Sequence, residues 1–105
     1  MPSVIIPAHN EAQVLERCLH ALLDGARAGE LEVIVICNGC TDDSAAVVRR
    51  FGAGVKLIET PIASKIHALN LGDAAATTFP RFFIDGDVVL PLDALRRLAR
   101  ELEEG

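Results

Sequence analysis

The sequence predicts an α/β protein: a three-layer open sheet of mainly parallel strands with βαβ crossovers, about four strands and four helices. Three observations carry this expectation. Short β-rich apolar stretches repeatedly run into segments with helical periodicity. The stretch EVIVIC, Glu32 to Cys37, is almost continuously apolar, as a strand covered on both faces must be. Finally, the 105 residues, half of them apolar, suit one domain with one modest core. No internal repeat, linker or low-complexity segment interrupts them.

Ser3 to Pro7 reads as the first strand. Asn10 then stands as an N-cap with Gln13 three residues on, a variant of the capping box. Val14, Leu15, Cys18, Leu19 and Leu22 follow at helical spacing, and Gly25 and Gly29 bracket the exit from that helix. Glu32 to Cys37 is the second strand. Thr41 or Asp42 caps a second helix, which turns Val47, Val48 and Phe51 inward and ends at Gly52. Val55 to Glu59 is the third strand, after which Pro61 interrupts. Ser64 opens a third helix through Ile66, Leu69 and Ala76, and Arg81 to Ile84 is the fourth strand. Pro91 starts a last helix reading Leu92, Leu95, Leu98 and Leu102, ended by Gly105.

Composition excludes several classes of function. The formal net charge of -5 argues against a nucleic-acid partner, whose phosphates demand a basic patch. Trp and Tyr are absent and only four Phe are present, so stacking platforms for single-stranded bases are missing as well. No window approaches the roughly 20 apolar residues of a membrane helix. Val4-Ile5-Ile6 is too short for the apolar core of a secretory signal, and no basic region precedes it. Three cysteines, an odd number, do not suit a secreted disulfide framework; a reducing, cytoplasmic compartment is expected.

In open parallel sheets, ligands sit beyond the carboxyl ends of the strands. The candidate segments are therefore Pro7-Ala8-His9-Asn10-Glu11, Cys37 to Asp43, Thr60 to Lys65, and Asp85-Gly86-Asp87. The last puts two carboxylates at the mouth of the sheet, with Gly86 letting the backbone turn sharply. Carboxylates so close repel unless a positive group lies between them. A hard divalent cation shared with substrate phosphates meets that need. Taken alone, Asp-Gly-Asp also reads as a polar turn, so its company decides. Lys65 at a helix start opposes the helix dipole, which points to an anionic partner there. His9 either stacks on a ligand or fills its loop. Glu101, Glu103 and Glu104 read as a solvated face, with Arg96, Arg97 and Arg100 as their partners along the same helix.

The company is specific. VIIPAHNE on the first strand, EVIVICNGCTDDS on the second, SKIHALNLG opening the third helix and FFIDGDV on the fourth strand come in this order at βα spacing. Together they resemble the nucleotide-sugar-binding half of the inverting family 2 glycosyltransferases. The resemblance spans essentially the whole chain. It implies a Rossmann-like half of a GT-A fold, with residues 1–105 as one donor domain lacking the acceptor-binding half. It further implies that backbone groups near Pro7 and Ala8, with the acid Glu11, hold the nucleobase. The family's second loop usually reads Asp-Asp-Gly-Ser-Thr-Asp. Cys37-Asn38-Gly39-Cys40-Thr41-Asp42 falls in register with it, so Asn38 takes the position of an Asp that contacts base or ribose. An amide both donates and accepts, unlike a carboxylate, which leaves the base open.

By the same resemblance, Lys65 matches a basic residue near the diphosphate. Asp85 and Asp87 match the D-x-D pair, the first on ribose or metal and the second on the metal, with Mn2+ or Mg2+ as cofactor. The implied partners are a nucleotide-diphosphate sugar and an acceptor that the sequence does not identify. The catalytic base that deprotonates the acceptor has no counterpart in these residues.

Two other readings stand beside this one. Cys37 and Cys40 form a Cys-x-x-Cys pair, the pattern of a thiol oxidoreductase. Reactive thiolates are favoured by cations, however, and Asp42 and Asp43 follow at once. A zinc site lacks a second ligand pair, since Cys18, His20 and His67 fall within helical segments. The other reading is a non-catalytic α/β binding or assembly module. The fourth strand is also expected at an exposed sheet edge, through which the chain would form a homo-oligomer.

Overall fold

The computed structural model of the protein describes residues 1–104. Its sheet has four strands, β1 (Ser3–Ala8), β2 (Glu32–Asn38), β3 (Val55–Thr60) and β4 (Arg81–Phe83), in the order β3-β2-β1-β4. All the strand pairs are parallel. The helices are α1 (Ala12–Leu23), α2 (Ser44–Arg49), α3 (Lys65–Ala75) and α4 (Leu92–Glu104), with a single 3-10 turn at Gly52–Gly54. The chain steps outward from β1 to β3, then α3 carries it back across the sheet to β4 on the other side of β1. That reversal makes the β1–β4 boundary a topological switch point, the place where such sheets bind ligands.

The central strands explain the three layers. Every residue of β1 and β2 is buried, and alternate side chains point to opposite faces. Val4, Ile6, Val33 and Val35 pack under Leu15, Leu19 and Leu22 of α1, Val48 of α2 and Leu95 of α4. Ile5, Ile34 and Ile36 face the other way, onto Ala68 of α3 and Ala76 beyond it. Each fully buried Leu or Ile stabilises the fold by about 1.5–3 kcal/mol. Helix α3 lies very close to the sheet at Gly72. A Cβ there would overlap Ile5 Cγ2 and stand 2.7 Å from Ile36 Cδ1, so no larger residue fits without moving a stiff β-branched neighbour.

Strand and helix positions agree with the sequence reading to within a residue or two, and several side-chain assignments do not. Asn10 is not the cap of α1, which begins at Ala12 with Glu11 in the cap position and no side-chain cap. Ser64 does cap α3, its hydroxyl oxygen accepting from the His67 amide. Ile66, part of the apolar pattern read for α3, is 74% exposed, because the helix meets the sheet through its small residues, Ala68 and Gly72. On α4 the buried arc is Leu92, Leu95 and Ala99, while Leu98 and Leu102 are exposed, Leu102 lining a hollow with Arg81 and Phe83 of the edge strand β4. Arg96 pairs with Glu30 in the α1–β2 connection, at 2.6 and 2.8 Å, instead of with an acid of its own helix one turn on. The expected stop at Gly105 lies outside the described residues.

The amino end of the sheet is tied by one buried carboxylate. Glu32 Oε1 accepts from the Ser3 hydroxyl of β1 and from the Thr77 amide, while Oε2 accepts from the Thr77 hydroxyl and Lys56 of β3. Burial works against this charge. The bonds from Thr77, Ser3 and Lys56 together outweigh burial and hold the pKa at about 2, against an ordinary 4.5. A depressed carboxylate stabilises fully above its unfolded value and loses that contribution as pH falls toward its folded value. Wild-type stability is therefore expected to decline between pH 4.5 and about 2 on account of this group. Glu32→Gln should lower the urea-unfolding free energy at pH 7 by about 1.5–3 kcal/mol and flatten the acid decline. An acid limb identical to wild type would refute this role for Glu32.

Candidate functional site

The carboxyl ends of the strands enclose a cavity of about 240 Å³ lined by Pro7, His9, Glu11, Asn38, Lys65, Asp85 and Asp87. These residues come from the carboxyl ends of β1 and β2, from the loops after β1 and β4, and from the first turn of α3, converging at the switch point. A wider neighbouring hollow of about 520 Å³ is lined by Asn10 to Val14 with Asp42 and Asp43. It carries carboxylates and no basic group, so it does not suit a phosphate.

Asp85 and Asp87 sit in a turn closed by the Val88 amide donating to the Asp85 carbonyl, 3.1 Å. The positive-φ glycines are Gly25, Gly29, Gly39 and Gly52. Gly86 is not among them, so the turn expected from sequence is present without drawing on glycine's left-handed backbone. A Cβ on Gly86 would come within 3.3 Å of Glu11 Oε2 and 3.6 Å of the Ala8 Cβ. The missing side chain lets the Glu11 carboxylate lie against the Asp-Gly-Asp turn, so three carboxylates face one space. Lys65 answers them: its Nζ pairs with Asp85 Oδ1 at 2.5 Å. The hydrogen bond and charge of Asp85, aided by the charges of Asp87 and Glu11, raise the lysine pKa above its ordinary value. The anionic partner expected for Lys65 is thus the protein's own carboxylate.

The two loops flanking the cavity are braced against each other. Asn10 takes a left-handed backbone, φ 50°, which Asn tolerates better than most residues. Its Oδ1 accepts from the amides of Thr41 and Asp42, 2.7 and 3.2 Å. Buried Ser44 accepts from the Glu11 amide and donates to Asp42 Oδ1 at 2.6 Å, and the Ala12 amide donates to Asp42 Oδ2. The Ser44 hydroxyl bond, with amide bonds, holds the Asp42 carboxyl below the usual range despite opposing burial. Asn38 Nδ2 donates to the Ala8 carbonyl at 2.9 Å, which uses one of its two N–H donors inside the protein and leaves the other, with Oδ1, for a ligand. His9 Nδ1 lies 2.6 Å from the Asn38 carbonyl. A carbonyl only accepts, so that nitrogen carries the proton and neutral His9 keeps a lone pair on Nε2.

Of the residues singled out from sequence, Pro7, His9, Glu11, Asn38, Lys65, Asp85 and Asp87 meet around this cavity. Ala8 does not line it; its carbonyl accepts from Asn38 and, at 3.5 Å, from the Cys40 thiol. Among the described residues no group of three or more His, Cys, Asp or Glu side chains is already arranged around a metal position. All three cysteines are free thiols. Burial, then the neighbouring Cys40, pushes the Cys37 thiol up to about 12, so it supplies no thiolate at neutral pH, contrary to what redox exchange needs. Sequence reasoning missed the bracing by Asn10, Asp42 and Ser44. The signal was present: Asn after a strand tolerates the left-handed region, and Asp-x-Ser before a helix favours side-chain to backbone bonds.

Bracing through Asn10 makes a graded prediction. Asn10→Ala loses the two bonds and places a Cβ-bearing residue with no local bond at positive φ, for a loss of about 2–3 kcal/mol. Asn10→Gly loses the same bonds without the backbone penalty and should recover about 1 kcal/mol of it. Urea unfolding of both variants tests this, and equal stabilities would show that the left-handed backbone contributes nothing.

Comparison with known proteins agrees with this architecture. The model of glycosyl transferase family 2 matches residues 3–105. An uncharacterized glycosyltransferase of Mycobacterium tuberculosis is 36% identical over 104 residues, covering 98% of this chain and 44% of the relative. A mannosyltransferase from Pyrobaculum calidifontis, solved in complex with GDP-Man and Mn2+, superposes with a TM-score of 0.78 at 32% identity, over 90% of this chain and 30% of that one. TarS of S. aureus, solved with UDP-GlcNAc, shares the fold, with a TM-score of 0.86 at 23% identity over 98% of this chain and 31% of that one. The chain spans less than half the length of these relatives. Its parallel sheet and flanking layers are those of the GT-A glycosyltransferases, and the chain belongs to glycosyl transferase family 2.

Proposed function

We propose that this chain is the donor domain of a glycosyltransferase, binding a nucleotide-diphosphate sugar beside a divalent metal for transfer to an acceptor. The observation that carries the reading is the convergence of Asp85, Asp87 and Glu11 with Lys65 at the switch point. The named ligands of two structural relatives, GDP-Man with Mn2+ and UDP-GlcNAc, support the ligand class. The donor set fits the metal: carboxylate oxygens are hard ligands, and Mg2+ or Mn2+ is commonly held by one or two of them with substrate phosphates. Asp85 and Asp87 would hold it. When bound, such an ion supplies charge neutralisation to the departing diphosphate.

The remaining roles fall to the chain's own groups. Breaking the sugar–phosphate bond leaves negative charge on the diphosphate, and the Lys65 ammonium at the first turn of α3 stabilises that charge. Asn38 Oδ1 accepts a hydrogen bond from base or ribose. His9 Nε2 offers a further acceptor, and the Pro7 end of β1 forms the wall beneath the base. Rigid bracing between the loops keeps this arrangement from rearranging as the ligand enters, which limits the entropy lost on binding. Acceptor binding and deprotonation are assigned to polypeptide outside residues 1–105, a division supported by the greater length of the relatives. The free thiols support a reducing, cytoplasmic setting.

Calorimetric titration of UDP and GDP, with and without Mn2+, tests the reading. Wild type should bind one nucleotide in a metal-dependent manner, and Asp87→Ala should weaken that binding by at least about tenfold, the equivalent of one charge-assisted contact. A sample that is folded by circular dichroism and binds neither nucleotide under either condition would overturn it.

A further inference from the structure

The Lys65–Asp85 pair has a consequence for how the proposed site fills. Lys65 sits on the same carboxylate that a divalent cation would use, with Asp87 and Glu11 also facing it. The pair lies at the surface, its side chains 61% and 52% exposed, so it is weak and exchangeable. Its geometry is set from two sides. Ser64 caps α3 and fixes the helix start, while the Asp85–Val88 turn fixes the carboxylate. Around this cavity Lys65 is the one side chain with a fixed positive charge, facing the three carboxylates. A second cation therefore has to share or take Asp85, and like charges held this close oppose each other.

We propose that Lys65 is an internal competitor for the metal-binding carboxylate, and that its transfer from Asp85 to the donor diphosphate couples metal binding to nucleotide binding. This rests on the donor-site reading above. Metal alone meets a site partly neutralised by Lys65 and binds weakly. A nucleoside diphosphate gives the ammonium a better anionic partner and frees Asp85. Each ligand then strengthens the other by the same factor, as linkage requires. The single flexible lysine stem, anchored at a capped helix start, has the reach and freedom for such a move.

The test measures Mn2+ binding by calorimetry, alone and with saturating UDP or GDP, in wild type, Lys65→Met and Lys65→Arg. Lys65→Met should bind Mn2+ alone about two- to fivefold more tightly than wild type, the range expected from removing an exposed ion pair. Its coupling factor, the ratio of Mn2+ affinities with and without nucleotide, should shrink. Lys65→Arg keeps the competing charge and should resemble wild type in Mn2+ affinity. Unchanged or weaker Mn2+ affinity in Lys65→Met would overturn the proposal while leaving the donor site standing. So would tighter Mn2+ binding with an undiminished coupling factor, which would mean general charge repulsion without exchange. Failure of wild type to bind any nucleotide with Mn2+ would instead overturn the donor-site reading, and this proposal with it.

Discussion

Everything at the site hangs on the register between β1 and β2. Ser3 stands opposite Glu32 and Ala8 opposite Cys37, six parallel pairs in a row with every side chain buried. A slip of one residue would turn Val4 and Ile6 toward α3, and bring Ile5 under α1. The registered ends place the Ala8 carbonyl within reach of Asn38, and the loops beyond them face to face. With β4 paired to the other side of β1, the Asp85-Gly86-Asp87 turn reaches Glu11 across the switch point. The geometry of the cavity is thus set by core packing that lies well below it.

Carboxylates at the two ends of the sheet do opposite jobs, and their surroundings explain why. Glu32, at the amino end, is buried and takes hydrogen bonds on both oxygens, so its charge is satisfied inside the protein. Asp85, at the carboxyl end, is half exposed and has one exchangeable cation. Saturated bonding makes the first a structural tie, whereas incomplete bonding leaves the second free to take a ligand. Between them, Asp42 shows an intermediate arrangement, near the site yet bonded by Ser44, Ala12 and Asn10's loop, so it braces the cavity without lining it.

How much of this was legible in the sequence follows from the range of each signal. Strands β1 and β2 were readable because burial on both faces leaves an apolar run with no need for partners to be known. The convergence of Lys65, Glu11 and the two aspartates was readable because parallel topology sends every strand end to one edge. Asn10 was misread as a cap, since a capping residue and a left-handed loop residue share the same chemistry, and only the distant Thr41 amide distinguishes them. Ile66, Leu98 and Leu102 repeat at helical spacing, but periodicity does not say which arc of a helix meets the sheet. Glu32 and Arg96 gave no local sign of their roles, because Thr77 and Glu30 are brought to them only by the tertiary fold.

The central claim is that the strand ends around Asp85 and Asp87 hold a cation and a nucleoside diphosphate together. Paramagnetic broadening by Mn2+ in amide NMR spectra, recorded with nucleotide present, tests it most directly. The account predicts loss of signal first at Glu11, Lys65, Gly86 and Asp87. Glu32 and Thr77, about 20 Å away at the amino end of the sheet, should broaden least. Broadening centred on Cys37 and Cys40 or on the acidic end of α4, with Gly86 and Asp87 unaffected, would contradict it.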